Sequence, residues 1–230
     1  MTYVMSDIHG CYDKYMNMLS KINFSCDDTL YILGDVVDRG NGGMKVILDA
    51  AARENVITLK GNHDHEAYVF LKNLTMPIDD PRACEFASVF RMWLSDGGIP
   101  TYESFIKLCD SEKETVLLYL NSLPIFEEIV ICGRKYFLAH TVPEREKMLD
   151  FDRCRISDFI IGEPEYDKTY FEDTVIVTGH TPTELIDKSR AGKIWSKNNH
   201  IAVDCGAVFG NPLGCICLES GEEFYADGKG

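Results

Sequence analysis

The sequence predicts an α/β-type sandwich in which two packed β-sheets are covered by helices. Three observations carry this. Nine short apolar, β-rich runs recur along the chain; helical periodicity fills the gaps between the early runs; and strand–helix alternation gives way to β-rich sequence after a helical middle.

The runs lie at residues 3–6, 29–33, 56–59, 128–132, 136–139, 174–178, 201–203, 214–218 and 222–225, and Gly133-Arg134-Lys135 looks like a hairpin connection between two of them. Residues 12–22 place Tyr15, Met18, Leu19 and Ile22 on one side at helical spacing, and residues 43–53 do the same with Val46, Ile47 and Ala50. Residues 65–122 read as mostly helical, with breaks at 76–81 and 96–100. No repeat, low-complexity tract or linker interrupts the chain, so residues 1–230 are expected to form a single domain with that helical stretch as an insertion.

With 230 residues, 45% of them hydrophobic and 26% charged, the chain can bury a proper core. No apolar run approaches the length of a membrane span, and the first residues lack the basic flank and apolar stretch of a signal peptide. Nine scattered cysteines without a Cys-x-x-Cys fit reduced thiols, and a cytoplasmic location is expected. The net charge of −14 argues against binding a nucleic-acid polymer, though a site holding cations is locally positive regardless.

Polar residues of one chemical kind follow the strands. Residues 3–6 run into Asp7-Ile8-His9-Gly10, residues 29–33 into Gly34-Asp35-Val36-Val37-Asp38-Arg39-Gly40, and residues 56–60 into Gly61-Asn62-His63-Asp64. Residues 136–139 end on His140, and residues 174–178 on Gly179-His180-Thr181. In nearly extended chain Asp7 and His9 point to one side, where a carboxylate oxygen and an imidazole nitrogen can share an ion. Carboxylate, imidazole and amide donors without thiolate suit manganese, iron, zinc or magnesium. Taken singly, each motif has a structural explanation: Asp35 and Asp38 as cap or turn residues, Asn62 and Asp64 in an Asx-turn, His180-Thr181-Pro182 as a strand exit. Five together, drawing in four of the six histidines, point to a metal-binding active site. His65 reads as a first-turn residue or one supporting the site from behind, and His200 as an exposed loop residue.

In this order the motifs resemble the calcineurin-like metallophosphoesterases. Within them the chain is similar to the bacterial and phage branch of the serine/threonine phosphoprotein phosphatases, with symmetrical diadenosine tetraphosphatases as close relatives. The stretch Trp93-Leu94-Ser95-Asp96-Gly97-Gly98 with Thr101, Leu123-Pro124, and the tail from Val203-Asp204-Cys205-Gly206-Ala207-Val208 to Leu213-Gly214 extend the likeness over nearly the whole chain.

The resemblance implies a four-layer α+β or α/β sandwich of two mixed sheets. It implies two divalent ions, manganese first, with Asp7, His9 and Asp35 at one and Asp35, Asn62, His140 and His180 at the other. A hydroxide bridging the ions would attack phosphorus. His63 would protonate the leaving oxygen with Asp38 orienting it, and Arg39, with Asn62 and His63, would contact the phosphate. The implied activity is that of a phosphomonoesterase or serine/threonine protein phosphatase acting on a phosphorylated protein, peptide or small molecule.

Two positions depart from the pattern. Lys60 stands where such phosphatases carry arginine, which keeps the charge and loses the bidentate fork. Gly162 stands where a second phosphate-binding arginine is expected, leaving Arg145, Arg153 or Arg155 as substitutes. That loss motivates a second reading as a dinucleoside polyphosphate hydrolase, whereas Asp38 favours the phosphatase branch. A metal-bound but inactive binding module is a third, which no replaced ligand recommends.

Overall fold

The computed structural model describes every residue except Ile78, Lys229 and Gly230. In chain order the regular elements are β1 (Thr2–Met5), α1 (Tyr12–Lys21), β2 (Thr29–Ile32), α2 (Gly43–Ala51), β3 (Val56–Thr58), α3 (Asn62–Leu71), α4 (Ala83–Trp93), α5 (Ile99–Phe105) and α6 (Asp110–Ser122). They continue with β4 (Phe126–Ile131), β5 (Arg134–Ala139), α7 (Arg145–Met148), β6 (Thr174–Thr178), α8 (Thr183–Ile186), β7 (Trp195–Lys197), β8 (His200–Ala202), β9 (Leu213–Cys217) and β10 (Glu223–Ala226).

Two mixed five-stranded sheets result, ordered β10-β9-β1-β2-β3 and β4-β5-β6-β8-β7. Side-chain alternation along each strand decides what lies between them. Val4, Tyr31, Leu138, Val177 and Ile216 point inward into one shared apolar layer. On the other face of the first sheet Tyr3, Met5, Leu30 and Ile32 pack against Tyr15 and Met18 of α1 and Val46 and Ile47 of α2. Trp93, Phe105, Val116 and Leu120, from the helical stretch, join that same cluster. The outer face of the second sheet is covered by Met148, Phe159 and Tyr170 from short helical turns and loops rather than long helices.

Register sets the site. In the parallel trio β1, β2 and β3, Met5 pairs with Ile32 and Ile32 with Thr58, so the three strands end flush and their following loops emerge together. The parallel strands β5, β6 and β8 do the same in the second sheet, where Leu138 pairs with Val177 and Thr178 with Ala202. Ligand-type residues thus gather beyond the carboxyl ends of parallel strands, where open α/β sheets leave a crevice.

The expected break at 96–100 is a wide π-type turn over Leu94–Gly98, with Gly97 at φ 111° and Pro100 in the first turn of α5. The break expected at 76–81 falls between α3 and α4; Ile78 within it lies outside the described residues. Two expectations need correction, and one strand was not expected. The hairpin turn is Cys132-Gly133 alone, with Arg134 and Lys135 already in β5. The edge strand β7 has only three residues and was not anticipated. His200 is not an exposed loop residue: it is 1% exposed in β8, with Nε2 2.8 Å from Thr178 Oγ1. The polar Lys197-Asn198-Asn199 before it forms the tight turn from β7, after which the chain re-enters the sheet.

Candidate metal centre

All six expected metal-ligating residues converge. From the first sheet, Asp7 and His9 follow β1, Asp35 follows β2 and Asn62 opens α3 after β3; from the second, His140 and His180 follow β5 and β6. The two sheets meet through these loops: the His180 backbone N–H donates to Asp7 Oδ2 at 2.9 Å, and His140 Nδ1 lies 2.7 Å from the Leu33 carbonyl.

The centre is built on strained backbone. Asp7, His9, Asp35, Asp38, Arg39 and His180 all have φ between 43° and 66°, a left-handed conformation side chains other than glycine adopt rarely. Six such residues in one place mark where the surroundings over-determine the backbone, as functional sites do. Close approach adds to this: a Cβ on Gly61 would sit 2.1 Å from Asp35 Oδ1, and one on Gly179 2.2 Å from Asp7 Oδ2.

Hydrogen bonds behind the ring atoms fix which nitrogen faces the centre. His9 Nδ1 lies 2.9 Å from the Val37 carbonyl and His140 Nδ1 is held by Leu33, so each ring donates there and turns the Nε2 lone pair inward. Asp35 Oδ2 then stands 3.6 Å from His9 Nε2 and 3.5 Å from His140 Nε2, between the two. Asp35 Oδ1 accepts the His63 backbone N–H at 3.0 Å. On the second side, His140 Nε2 is 3.1 Å from Asn62 Oδ1 and 3.1 Å from His180 Nδ1. On the first, His9 Nε2 is 4.0 Å from Asp7 Oδ1, whose partner oxygen accepts from the Ser6 hydroxyl.

Electrostatics sort these side chains. Burial holds His9, His140 and His180 well below the usual imidazole range, the last two at about 3, so their lone pairs are free. Burial pushes the Asp7 carboxyl up and Asp35 pushes it the same way; burial raises Asp35 too, against the pull of His63. Buried carboxylates crowded together lose that penalty when a cation joins them. Neutral imidazoles, buried carboxylates and an amide oxygen, with no thiolate, therefore fit hard or borderline divalent ions. Asp35 with His140 and His180 could hold one ion, and Asp35 with His9 another; His63 also lies within reach of the latter pair.

His63 differs from its neighbours. Its Nδ1 is 2.8 Å from Asp38 Oδ2. Burial opposes charge on its ring, but the Asp38 hydrogen bond and the charge on Asp35 outweigh it and raise the imidazole to about 9. A protonated imidazole has no lone pair to give a metal, which sets His63 apart from the other three histidines of the centre. Arg39 pulls the other way: its guanidinium is 2.8 Å from His9 Nε2 and 3.0 Å from His63 Nε2. Both contacts use lone pairs, so a charged His63 and a cation at His9 each displace Arg39 from where it rests. Its ring neighbour is Phe209, 5.4 Å from the guanidinium carbon and 65% exposed.

Several residues behind the site were not picked out from sequence as parts of it. Asp64, buried, accepts backbone N–H groups from Asp35 at 2.7 Å, Val36 at 3.0 Å and Gly61 at 3.0 Å, clamping the β2 loop to the start of α3. Trp93 Nε1 donates to Asp38 Oδ2 at 2.8 Å, and Thr101 Oγ1 accepts the Asp38 N–H at 2.8 Å. Asp204, buried and raised by burial and by Asp7, accepts from Gly206 N at 2.8 Å. His65 is exposed in the first turn of α3. Of the arginines considered as substitutes at Gly162, Arg145 donates to the Thr169 carbonyl at 2.7 Å and Arg153 pairs with Asp150 at 3.9 Å. Arg155 is exposed beside Arg153. Gly162 is pressed against the loop after His140, its carbonyl accepting from Thr141 Oγ1 at 3.0 Å.

The family profile described as calcineurin-like phosphoesterase matches residues 2–210. The chain belongs to that family. It is 31% identical over 134 residues to the symmetrical bis(5'-nucleosyl)-tetraphosphatase of Salmonella paratyphi C, covering 54% of this chain and 44% of that one. It is 42% identical over 65 residues to the protein of the same name from Salmonella paratyphi B, covering 27% and 23%. The matches thus span less than half of these relatives. Among solved structures, one proposed to be a diadenosine tetraphosphatase superposes with a TM-score of 0.67 at 19% identity over 99% of this chain and 93% of that one. A protein serine/threonine phosphatase from Saccharomyces cerevisiae gives 0.57 at 16%, over 100% and 81%. At these identities the structures speak for the fold, that of two mixed sheets flanked by helices. No helix among the described residues is long and apolar enough to cross a membrane.

Proposed function

We propose that this calcineurin-like phosphoesterase is a two-metal phosphomonoesterase acting on phosphoserine or phosphothreonine in polypeptides, or on small aryl and alkyl phosphates. The observation that carries it is the His63–Asp38 pair beside Asp35, an acid poised next to a two-sided cation site. In this proposal Asp7, His9 and Asp35 hold one divalent ion, and Asp35, Asn62, His140 and His180 the other. When bound, such ions acidify water and neutralise phosphate oxygens.

The chain's own residues supply the rest. His63, charged at neutral pH, gives a proton to the departing oxygen, and Asp38 fixes its ring and offsets its charge. Trp93 and Thr101 hold Asp38 in turn. Arg39, released from His9 and His63, turns its planar fork to the phosphate oxygens and stabilises the charge gathering on them. The side chains of Asn62 and His63, adjacent at the N-terminus of α3, also face the phosphate, while the His63 backbone N–H stays on Asp35 Oδ1.

A second reading, hydrolysis of a dinucleoside polyphosphate, is favoured by the names of the relatives matched over 54% and 27% of the chain. Metal-defined protein with manganese should release phosphate from p-nitrophenyl phosphate and a phosphothreonine peptide. Turnover of diadenosine tetraphosphate to nucleotides, with neither of those cleaved, would replace the first proposal by the second.

A further inference from the structure

A groove of about 460 Å³ opens beside the His63 side of the centre. Trp93 is one of its lining residues, the same indole that donates to Asp38 Oδ2 at 2.8 Å, so the groove and the pair assigned to the leaving group share one wall. One wall is α3, where Glu66 follows His63 by three residues and Phe70 follows one turn later; residues three and four apart share a helix face. The other wall is α4 and the turn after it, with Val89, Met92 and Asp96.

Two features of this lining are costly as they stand. Val89 is 42% and Met92 66% exposed, apolar side chains open to water at the groove. Glu66 is half-buried: burial raises its carboxyl, His63 opposes this, and Asp38 and Asp96 raise it further. An occupant with an apolar side chain and a cationic one relieves both.

We infer that this groove receives the leaving-group side of the substrate and selects a polypeptide segment that joins an apolar side chain to Lys or Arg. The inference rests on the phosphomonoesterase function proposed above and deepens it. A polyphosphate chain on that side meets Glu66 and Asp96 as like charges, in a protein whose net charge is already −14. A basic stretch of phosphorylated polypeptide meets them as partners.

The leaving alcohol is the dephosphorylated peptide, so groove binding can be measured without turnover. The chain has two tryptophans, and Trp195→Phe leaves Trp93 as the reporter. In that background, with manganese, short unphosphorylated peptides carrying Thr and Leu with either two Lys or two Glu are titrated against Trp93 fluorescence. The Lys peptide should bind about three- to tenfold tighter than the Glu peptide at low salt, as two exposed charge pairs allow, and the gap should narrow with salt. Glu66→Gln with Asp96→Asn should bring the ratio close to one. Equal binding of the two peptides, tighter binding of the Glu peptide, or a ratio that survives the double substitution would overturn the inference. Hydrolysis of p-nitrophenyl phosphate, measured alongside, separates the two claims. Selective binding without hydrolysis keeps the groove and removes the phosphatase; hydrolysis with unselective binding does the reverse.

Discussion

His63 Nδ1 lies 2.8 Å from Asp38 Oδ2 in a pair almost wholly removed from water. The same carboxylate oxygen takes the Trp93 indole N–H, so the acid that orients the imidazole is itself held in place. Around them stand three imidazoles held low by burial, while His63 alone of the four is raised.

A shift in that proton's affinity follows from removing the Asp38 charge. In metal-free protein the His63 imidazole should titrate near 9, and in Asp38→Asn it should fall toward the ordinary 6.5. Histidine proton resonances followed against pH, assigned with His63→Asn, measure this directly. The sign for stability follows from the raised value. The pair's contribution is fully present below pH 6.5 and lost as pH rises through about 9, so wild type and Asp38→Asn should converge in urea stability above that pH. In the active enzyme the alkaline limb of kcat should move to lower pH in Asp38→Asn.

Asp64 should matter for folding more than its motif position suggests. Asp64→Ala strands three buried backbone donors, and losing such partners costs on the order of 3 kcal/mol or more in urea unfolding. Asp64→Asn, which keeps an acceptor oxygen, should lose less. Because the clamp holds the Asp35 loop, metal affinity should fall in the same order.

Arg39 is predicted to act in opposite directions on two measurements. Its guanidinium takes the His9 Nε2 lone pair at 2.8 Å, so Arg39→Ala should bind manganese no less tightly than wild type by calorimetry. Its loss should cut kcat/KM for p-nitrophenyl phosphate by ~10²–10³-fold, the range for removing one donor to developing charge. Weaker metal binding in Arg39→Ala would mean the side chain supports the ion site instead.

Much of the centre was legible because each half-motif is contiguous and follows a strand: Asp7 and His9, Asp35 to Arg39, Asn62 and His63. The flush register of β1, β2 and β3 then brings them together without further instruction from sequence. What supports them was harder to see. Trp93 and Thr101 lay within a recognised motif, yet their contact with Asp38 spans 55 and 63 residues and depends on the π-type turn at Gly97. Asp64 read as a turn residue because its three partners come from two separate loops. His200 was misplaced because its polar neighbours belong to a turn, while β7, at three residues, is too short to show a period. The Glu66–Asp96 groove was not legible either, because it is assembled from helices whose packing no local pattern records.

Metal content set against turnover in two variants tests the centre most directly. Asp35→Asn alters the carboxylate between His9 and His140 and should lower bound manganese at both positions, measured by elemental analysis after dialysis. His63→Asn should keep nearly the wild-type metal content and slow turnover ~10²–10⁴-fold, the usual effect of losing a general acid. If His63→Asn instead sheds metal as Asp35→Asn does, His63 is a ligand, and the division between neutral and protonated histidines is wrong.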